Sequence, residues 1–316
     1  MKNRQVLLGH LALFTAYSIF GINIITTKDL TAGHLLSPMA IFCLRALGAG
    51  TIFWIISLLR PAEKVAPRDY PKILLASLLG FFLTQMTFLT ASPIITPMGW
   101  SVVCSVTPIF TMFIAAIALK EPITGKKVSG VMLSFIGIVF LILTSKTSSS
   151  GPEASSIWGY VLALLNGLGF ALYLGIFRPL ISRYSVVTFM KWIFLFAFLM
   201  SLPFSAGEIL AFDFTAVSTS FALELGYLIV FATFVAYFLI PVGQKCIRPT
   251  LVSMYSYLQP LFAITISIII GMDTLTVPKI LAAIAVFGGV LLVNFSKAAP
   301  APQLLRNTVS ESSASS

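Results

Sequence analysis

The sequence predicts an all-α integral membrane protein with ten transmembrane helices in a 5+5 inverted-repeat arrangement. Three observations carry that prediction. Hydrophobic residues make up 58% of the chain and charged residues only 9%, whereas a soluble domain carries about a quarter charged residues. Apolar runs long enough to cross the ~30 Å hydrocarbon core of a bilayer recur along the chain. A segment of the second half also repeats one of the first at a fixed offset.

The runs fall at about 6–27, 37–59, 73–91, 94–119, 127–144, 157–180, 186–206, 220–243, 249–271 and 277–296. The start, MKNRQ before an apolar stretch, resembles a secretion signal. No small-residue cleavage site comes after it, so the stretch reads as a first helix that stays in the membrane. It contains Asn23 and closes on Lys28, a membrane-edge residue or a contact for an anionic group. Span 2 holds Arg45, about eight residues or ~12 Å below its outer edge. Two readings stand for it: a charge facing a cavity or an ion-pair partner, or one that snorkels to the headgroups.

Span 3 carries Thr84 and Gln85, polar groups that need partners inside the bundle because lipid offers none. Span 4 carries Trp100, Ser101, Cys104, Ser105 and Pro108, and stops at Lys120-Glu121-Pro122. There the lysine complements the helix C-terminus and the proline blocks continuation. After the turn KEPITGKK comes span 5. Span 6 holds Asn166 and Tyr173. Lys191, at the start of span 7, is expected to snorkel. Glu224 in span 8 is the one acid inside these bounds. It could bind a cationic solute, carry a proton, pair with Arg45 or Lys28, or sit at the interface. Span 9 brings Ser253, Tyr255, Ser256, Tyr257, Gln259 and Pro260, and span 10 completes the set.

Orientation follows from Lys and Arg. With the N-terminus inside, Lys2, Arg4, Arg60, Lys64, Arg68, Lys72, Lys120, Lys126, Lys127, Arg178, Arg183, Lys245, Arg248, Lys297 and Arg306 face the cytoplasm. Only Lys28, Lys146 and Lys279 face out. Both termini are therefore expected in the cytoplasm, and residues 298–316 form a Pro/Ala- then Ser-rich disordered tail. The net charge of +10 and pI near 9.7 come from these scattered residues, which argues against a nucleic-acid groove. The partners expected are the lipid bilayer and a small-molecule solute, with no nucleic acid. Three distant cysteines without a CxxC pair indicate neither a disulfide framework nor a thiolate metal site.

An offset of 152 residues (249 − 97) aligns 97–137 with 249–289 without a gap. Pro97/Pro249, Ser101/Ser253, Pro108/Pro260, Phe110/Phe262 and Gly137/Gly289 are among the identities. A looser echo relates AYSIFGIN (16–23) to NGLGFALY (166–173). The units expected are 1–148 and 149–297. With five spans in each, the second must sit upside down relative to the first, an arrangement used for alternating access. Pro108 and Pro260 each deprive a carbonyl of its helical partner, and small polar residues share their faces. The functional reading is a pair of kinked helices lining a cavity. The competing one is close helix packing.

FGINIITTK in span 1, LRALGAG in span 2, TPMGWSVVCSVTPIFTMFIAAIALKEPIT across span 4 and RPTLVSMYSYLQPLFAITISII in span 9 resemble the EamA-like family of the drug/metabolite transporter superfamily. One departure is Met272-Asp273, where such proteins usually show Gly-Glu. The resemblance implies ten helices, no bound cofactor and secondary transport of small organic solutes such as amino acids, metabolites or drugs. Separate expectations are a gradient, through a coupling ion, or an exchanged counter-substrate as the driving force, and a plasma (bacterial inner) membrane location. No HExxH, GxSxG or Walker loop occurs, so the chain is expected not to be an enzyme. A nucleotide-sugar carrier is the alternative within the fold. A lipid-modifying membrane enzyme or a scaffold is the alternative outside it.

Overall fold

The computed structural model describes residues 2–32, 35–95, 100, 103, 105–144, 156–214, 217–259, 261–262, 265 and 277–296. Every regular element among them is helical. In chain order these are α1 (Lys2–Ala32), α2 (Pro38–Leu58), α3 (Pro67–Ala91), α4 (Thr107–Leu119) and α5 (Gly125–Thr144). Then come α6 (Ile157–Ile176), a short helix Arg178–Arg183, α7 (Val186–Ala211) and α8 (Thr219–Cys246). The set ends with α9 (Pro249–Met254) and α10 (Val277–Asn294).

Six helices among the described residues are long and apolar enough to cross a membrane. They correspond to expected spans 1, 2, 3, 6, 7 and 8. Two shorter apolar helices, Thr107–Leu119 and Ala283–Asn294, lie in spans 4 and 10. The hairpin Met272-Asp273 and the tail from residue 297 are outside the described residues.

Serine starts many of these helices. Ser37, Ser156, Ser185 and Ser218 are N-caps of α2, α6, α7 and α8, each side-chain oxygen accepting a backbone N–H of the first turn. Two caps are clasped by glutamates. Glu63, just past α2, accepts the Ser185 backbone N–H at the start of α7. Glu208, in the last turns of α7, accepts both the backbone N–H and the hydroxyl of Ser37 at the start of α2. The pair α2–α7 is thus tied at both ends, and its faces are packed together throughout. Glu208 also revises the reading that Glu224 is the lone acid within a span, because α7 continues to Ala211.

The helix at span 4 ends on Lys120, which takes a left-handed conformation with φ 53°. The Glu121 N–H then reaches back to the Ala115 carbonyl at 3.2 Å, a C-terminal cap of Schellman type. Pro108 proves to begin a helix instead of kinking one. α4 starts at Thr107 and Pro108 lies in its first turn, where a missing N–H has no intrahelical partner to lose.

The offset of 152 recurs in the architecture. Adding it to α2 (38–58) gives 190–210, inside α7, and adding it to α5 (125–144) gives 277–296, which overlays α10. These related helices pack against each other, α2 on α7 and α5 on α10. At Gly289 a Cβ would lie 2.1 Å from Ser134 Oγ and 2.4 Å from the Gly130 carbonyl, so only glycine permits this approach. Wide π-type turns interrupt α3 at Leu78–Phe82 and α8 at Val230–Val235, again about 152 apart. A further break recurs at Ser105–Val106 and in the tight turn Tyr255–Tyr257.

Candidate functional site

Residues related by the offset touch each other. Gln85 donates from Nε2 to the Tyr237 hydroxyl at 2.6 Å. Tyr257 donates its hydroxyl to the Ser105 carbonyl at 2.9 Å, and Ser134 Oγ to the Val286 carbonyl at 2.9 Å. Each pair is separated by 152 residues. Contacts of this kind between residues i and i+152 are what an axis exchanging the two copies would produce.

A cavity of about 90 Å³ opens beside that axis. Its wall is supplied by α1 (Tyr17, Phe20, Asn23), α3 (Thr84, Gln85, Phe88) and Trp100 with Thr107 at the head of α4. Asn166 and Phe170 of α6, Tyr237 of α8, and Ser256 and Gln259 after α9 complete it. The contributing elements form three related pairs: α1 with α6, α3 with α8, and the two broken segments. By contrast, among the described residues α2, α7, α5 and α10 give none to the wall. A π-type turn adds an extra residue to the helix and rotates every side chain on its C-terminal side. In α3 it precedes Thr84, Gln85 and Phe88; in α8 it precedes Tyr237. The rotation therefore sets which side chains reach the cavity.

The polar part of the wall is partly satisfied internally. Asn166 Nδ2 donates to the Thr84 carbonyl at 2.6 Å, and Thr27 donates to Asn23 Oδ1 at 3.2 Å. Three wall groups have no hydrogen-bond partner among the described residues: the Tyr17 hydroxyl, Gln85 Oε1 and Ser256 Oγ. Buried polar groups are normally paired, so these three are free to take a solute or water. Aromatic rings frame them, with Phe88 5.1 Å from Trp100 and Phe20 5.7 Å from Tyr237 between centroids.

Of the residues singled out from sequence, the structure gathers Asn23, Gln85, Trp100, Ser256 and Gln259 at this wall, together with Thr84 and Asn166. Others lie elsewhere. Pro108 and Ser105 are buried behind the wall. Ser253 bonds the Thr250 carbonyl within α9, and the Tyr255 hydroxyl meets His10 Nδ1. Tyr173 is buried with its ring against Gly80. Glu224 is half-exposed and accepts the Ser220 hydroxyl of its own helix at 2.9 Å; it does not meet Arg45. Lys191, expected to snorkel, instead donates to Ser57 Oγ at 2.8 Å and lies 4.8 Å over the Trp54 ring, because the α2–α7 contact offers both. Ser101, Cys104 and Pro260 are outside the described residues, as is the side chain of Lys28.

Arg45 is fully buried, which excludes snorkelling. Its Nε donates to Thr233 Oγ1 at 2.8 Å in the π-type turn of α8, and its two terminal nitrogens have no hydrogen-bond partner among the described residues.

Sequence reasoning did not select Tyr17, Phe20, Phe88, Thr107, Phe170 or Tyr237. Phe20 and Phe170 occupy matching positions in the looser echo, and that signal could have found them.

A second buried cluster sits at the far end of α4, whose 13 residues span ~20 Å. Lys127 and Glu121, 0% and 3% exposed, stand 3.0 Å apart, an ionic contact outside hydrogen-bond angles. Arg248 Nε is 3.9 Å from the same carboxylate, and Thr250 donates to its other oxygen at 3.3 Å. Arg248 also donates to the Val293 and Asn294 carbonyls. This one acid binds the ends of α4, α5, α9 and α10 together.

A bundle of apolar helices around a cavity lined by aromatic rings and a few polar groups defines a membrane protein with room for a small molecule among its helices. The chain belongs to the EamA-like transporter family, whose model matches residues 7–143 and again 157–295. It is similar to an uncharacterized transporter of Archaeoglobus fulgidus, 31% identical over 156 residues that cover 49% of this chain and 52% of that protein. The match thus spans about half the length of that relative. It is also similar to the uncharacterized transporter YetK of Bacillus subtilis, 24% identical over 303 residues, 92% of this chain and 88% of that one. One crystal structure shares the fold with a TM-score of 0.71 at 16% identity, covering 92% of this chain and 96% of that chain. The protein is a membrane transporter.

Proposed function

We propose that the chain is a secondary transporter of small organic solutes, working by alternating access between two inverted five-helix halves. The observation that carries this reading is the axial cavity, lined by three offset-related pairs of elements whose equivalent residues touch at Gln85–Tyr237 and Ser105–Tyr257. A site on the axis presents similar walls to both sides, so rocking one half against the other exposes it alternately. The halves divide between 148 and 149, and the positive-inside bias places both termini in the cytoplasm of a cell with this protein in its plasma (bacterial inner) membrane.

On that orientation the Glu121 cluster lies at the cytoplasmic end. It joins elements of both halves and serves as the closure on that side while the cavity faces out. Inward opening then requires the Glu121 contacts to Arg248 and Thr250, which cross between halves, to part. The driving force is a gradient or an exchanged solute.

The test is flux in vesicles reconstituted with the purified protein, using a panel of amino acids, other metabolites and drugs, with and without an imposed ion gradient. Saturable flux that Gln85→Leu reduces at least tenfold is expected. No movement of any solute, with no solute raising thermal stability, would overturn the reading.

A further inference from the structure

We infer that the cavity selects solutes bearing a carboxylate, with Arg45 as the fixed counter-charge. The inference rests on the transport reading for its physiological meaning, but it concerns binding and stands on separate observations.

A guanidinium stays protonated in any protein environment, and an unpaired charge buried inside a membrane bundle is strongly unfavourable. Arg45 is nonetheless 0% exposed. Its only hydrogen bond among the described residues is the neutral one to Thr233, and both terminal nitrogens are unpartnered among them. Five acids of the described residues are engaged elsewhere: Glu63 at Ser185, Asp69 at Arg183, Glu121 at Lys127, Glu208 at Ser37 and Glu224 at Ser220. Nothing described neutralises Arg45.

Arg45 does not itself line the cavity, and its charge acts on a solute through the wall. Thr233, the hydrogen-bond partner of Arg45, lies one turn along α8 from Tyr237 and its hydroxyl. That hydroxyl is held by Gln85, and both residues line the cavity. The guanidinium therefore stands directly behind the Tyr237–Gln85 section of wall. No Asp, Glu, Lys, Arg or His contributes to the wall among the described residues, so Arg45 sets the sign of its potential. Low dielectric around the site lets that charge act at full strength. The free donors agree. Tyr17 and Ser256, both at the wall, have unpartnered hydroxyls. One cation and two free hydroxyl donors suit a planar, two-oxygen anion. The unpartnered amide oxygen of Gln85, which can only accept, leaves room for an N–H or O–H elsewhere on the same solute.

The test measures binding by thermal stabilisation of the purified wild-type protein. Small mono- and dicarboxylic acids and amino acids are compared with their amides or methyl esters, with organic cations, and with chloride and phosphate alone. Stabilisation by carboxylates, lost at least tenfold in affinity on conversion to the amide, is expected and needs no variant. Arg45→Lys should retain part of that preference and Arg45→Gln should lose it. The inference is overturned if amides and acids bind alike, if only cations or only inorganic anions stabilise, or if Arg45→Gln folds and keeps the carboxylate preference. Carboxylate binding without flux would sink the transport reading and leave this inference intact. Flux of cations alone would do the reverse.

Discussion

Arg45 and Lys127 pose the same physical problem and receive opposite solutions. Both are completely buried cations. Lys127 has Glu121 at 3.0 Å, and that acid is further held by Arg248 and Thr250. Arg45 has one hydroxyl and no acid among the described residues. The first arrangement is complete and holds helix ends together. The second is complete only when something else supplies the negative charge. The difference separates a structural ion pair from a site.

Breaking the complete pair should cost most. Glu121→Ala leaves Lys127 buried without a counter-charge and should lower stability by about 3–5 kcal/mol, read from thermal or denaturant unfolding in detergent. Replacing both partners by hydrophobic residues, as in Glu121→Leu with Lys127→Met, should restore most of that loss. Next in size, Gln85→Leu removes the donor to the Tyr237 hydroxyl and should cost about 1–3 kcal/mol, alongside its loss of flux in vesicles. Lys191 offers a third, weaker solution, a cation held by a ring and a hydroxyl. Lys191→Met should cost about 0.5–1 kcal/mol. The smallest stability effect belongs to Arg45→Met, which removes a charge with no partner and keeps the volume. Its unfolding midpoint should stay within about 1 kcal/mol of wild type, or rise, while carboxylate binding disappears. A collapse of Arg45→Met comparable to that of Glu121→Ala would erase the distinction between the two cations.

The sequence revealed the membrane class, the helical content and the repeat offset, because apolar length and a duplicated Pro-x₁₀-Pro spacing are coarse signals that tolerate noise. Asn23, Gln85 and Gln259 were legible for a related reason: an amide in an apolar span must be turned inward. Trp100 apart, the aromatic part of the wall was not legible. Tyr17, Phe88 and Tyr237 sit among other apolar residues, and nothing local distinguishes a ring at a cavity from one facing lipid. The π-type turns that aim Gln85 and Tyr237 have no signature in LLGFF or VFATFV, since they arise from packing between helices. Pro108 misled for a physical reason as well. A proline within an apolar run reads as a kink or as the first turn of a new helix, and only the backbone on its N-terminal side decides.

The most direct measurement of alternating access is side-specific labelling at the axis. With Cys43, Cys104 and Cys246 replaced, a Ser256→Cys protein in sealed vesicles of known orientation is exposed to a membrane-impermeant maleimide from one side or the other. Alternating access predicts labelling from the outer side in the resting state, labelling from the inner side when a transported solute shifts the equilibrium, and protection at saturating solute. Access from one side only, unaltered by any solute that binds, would contradict it.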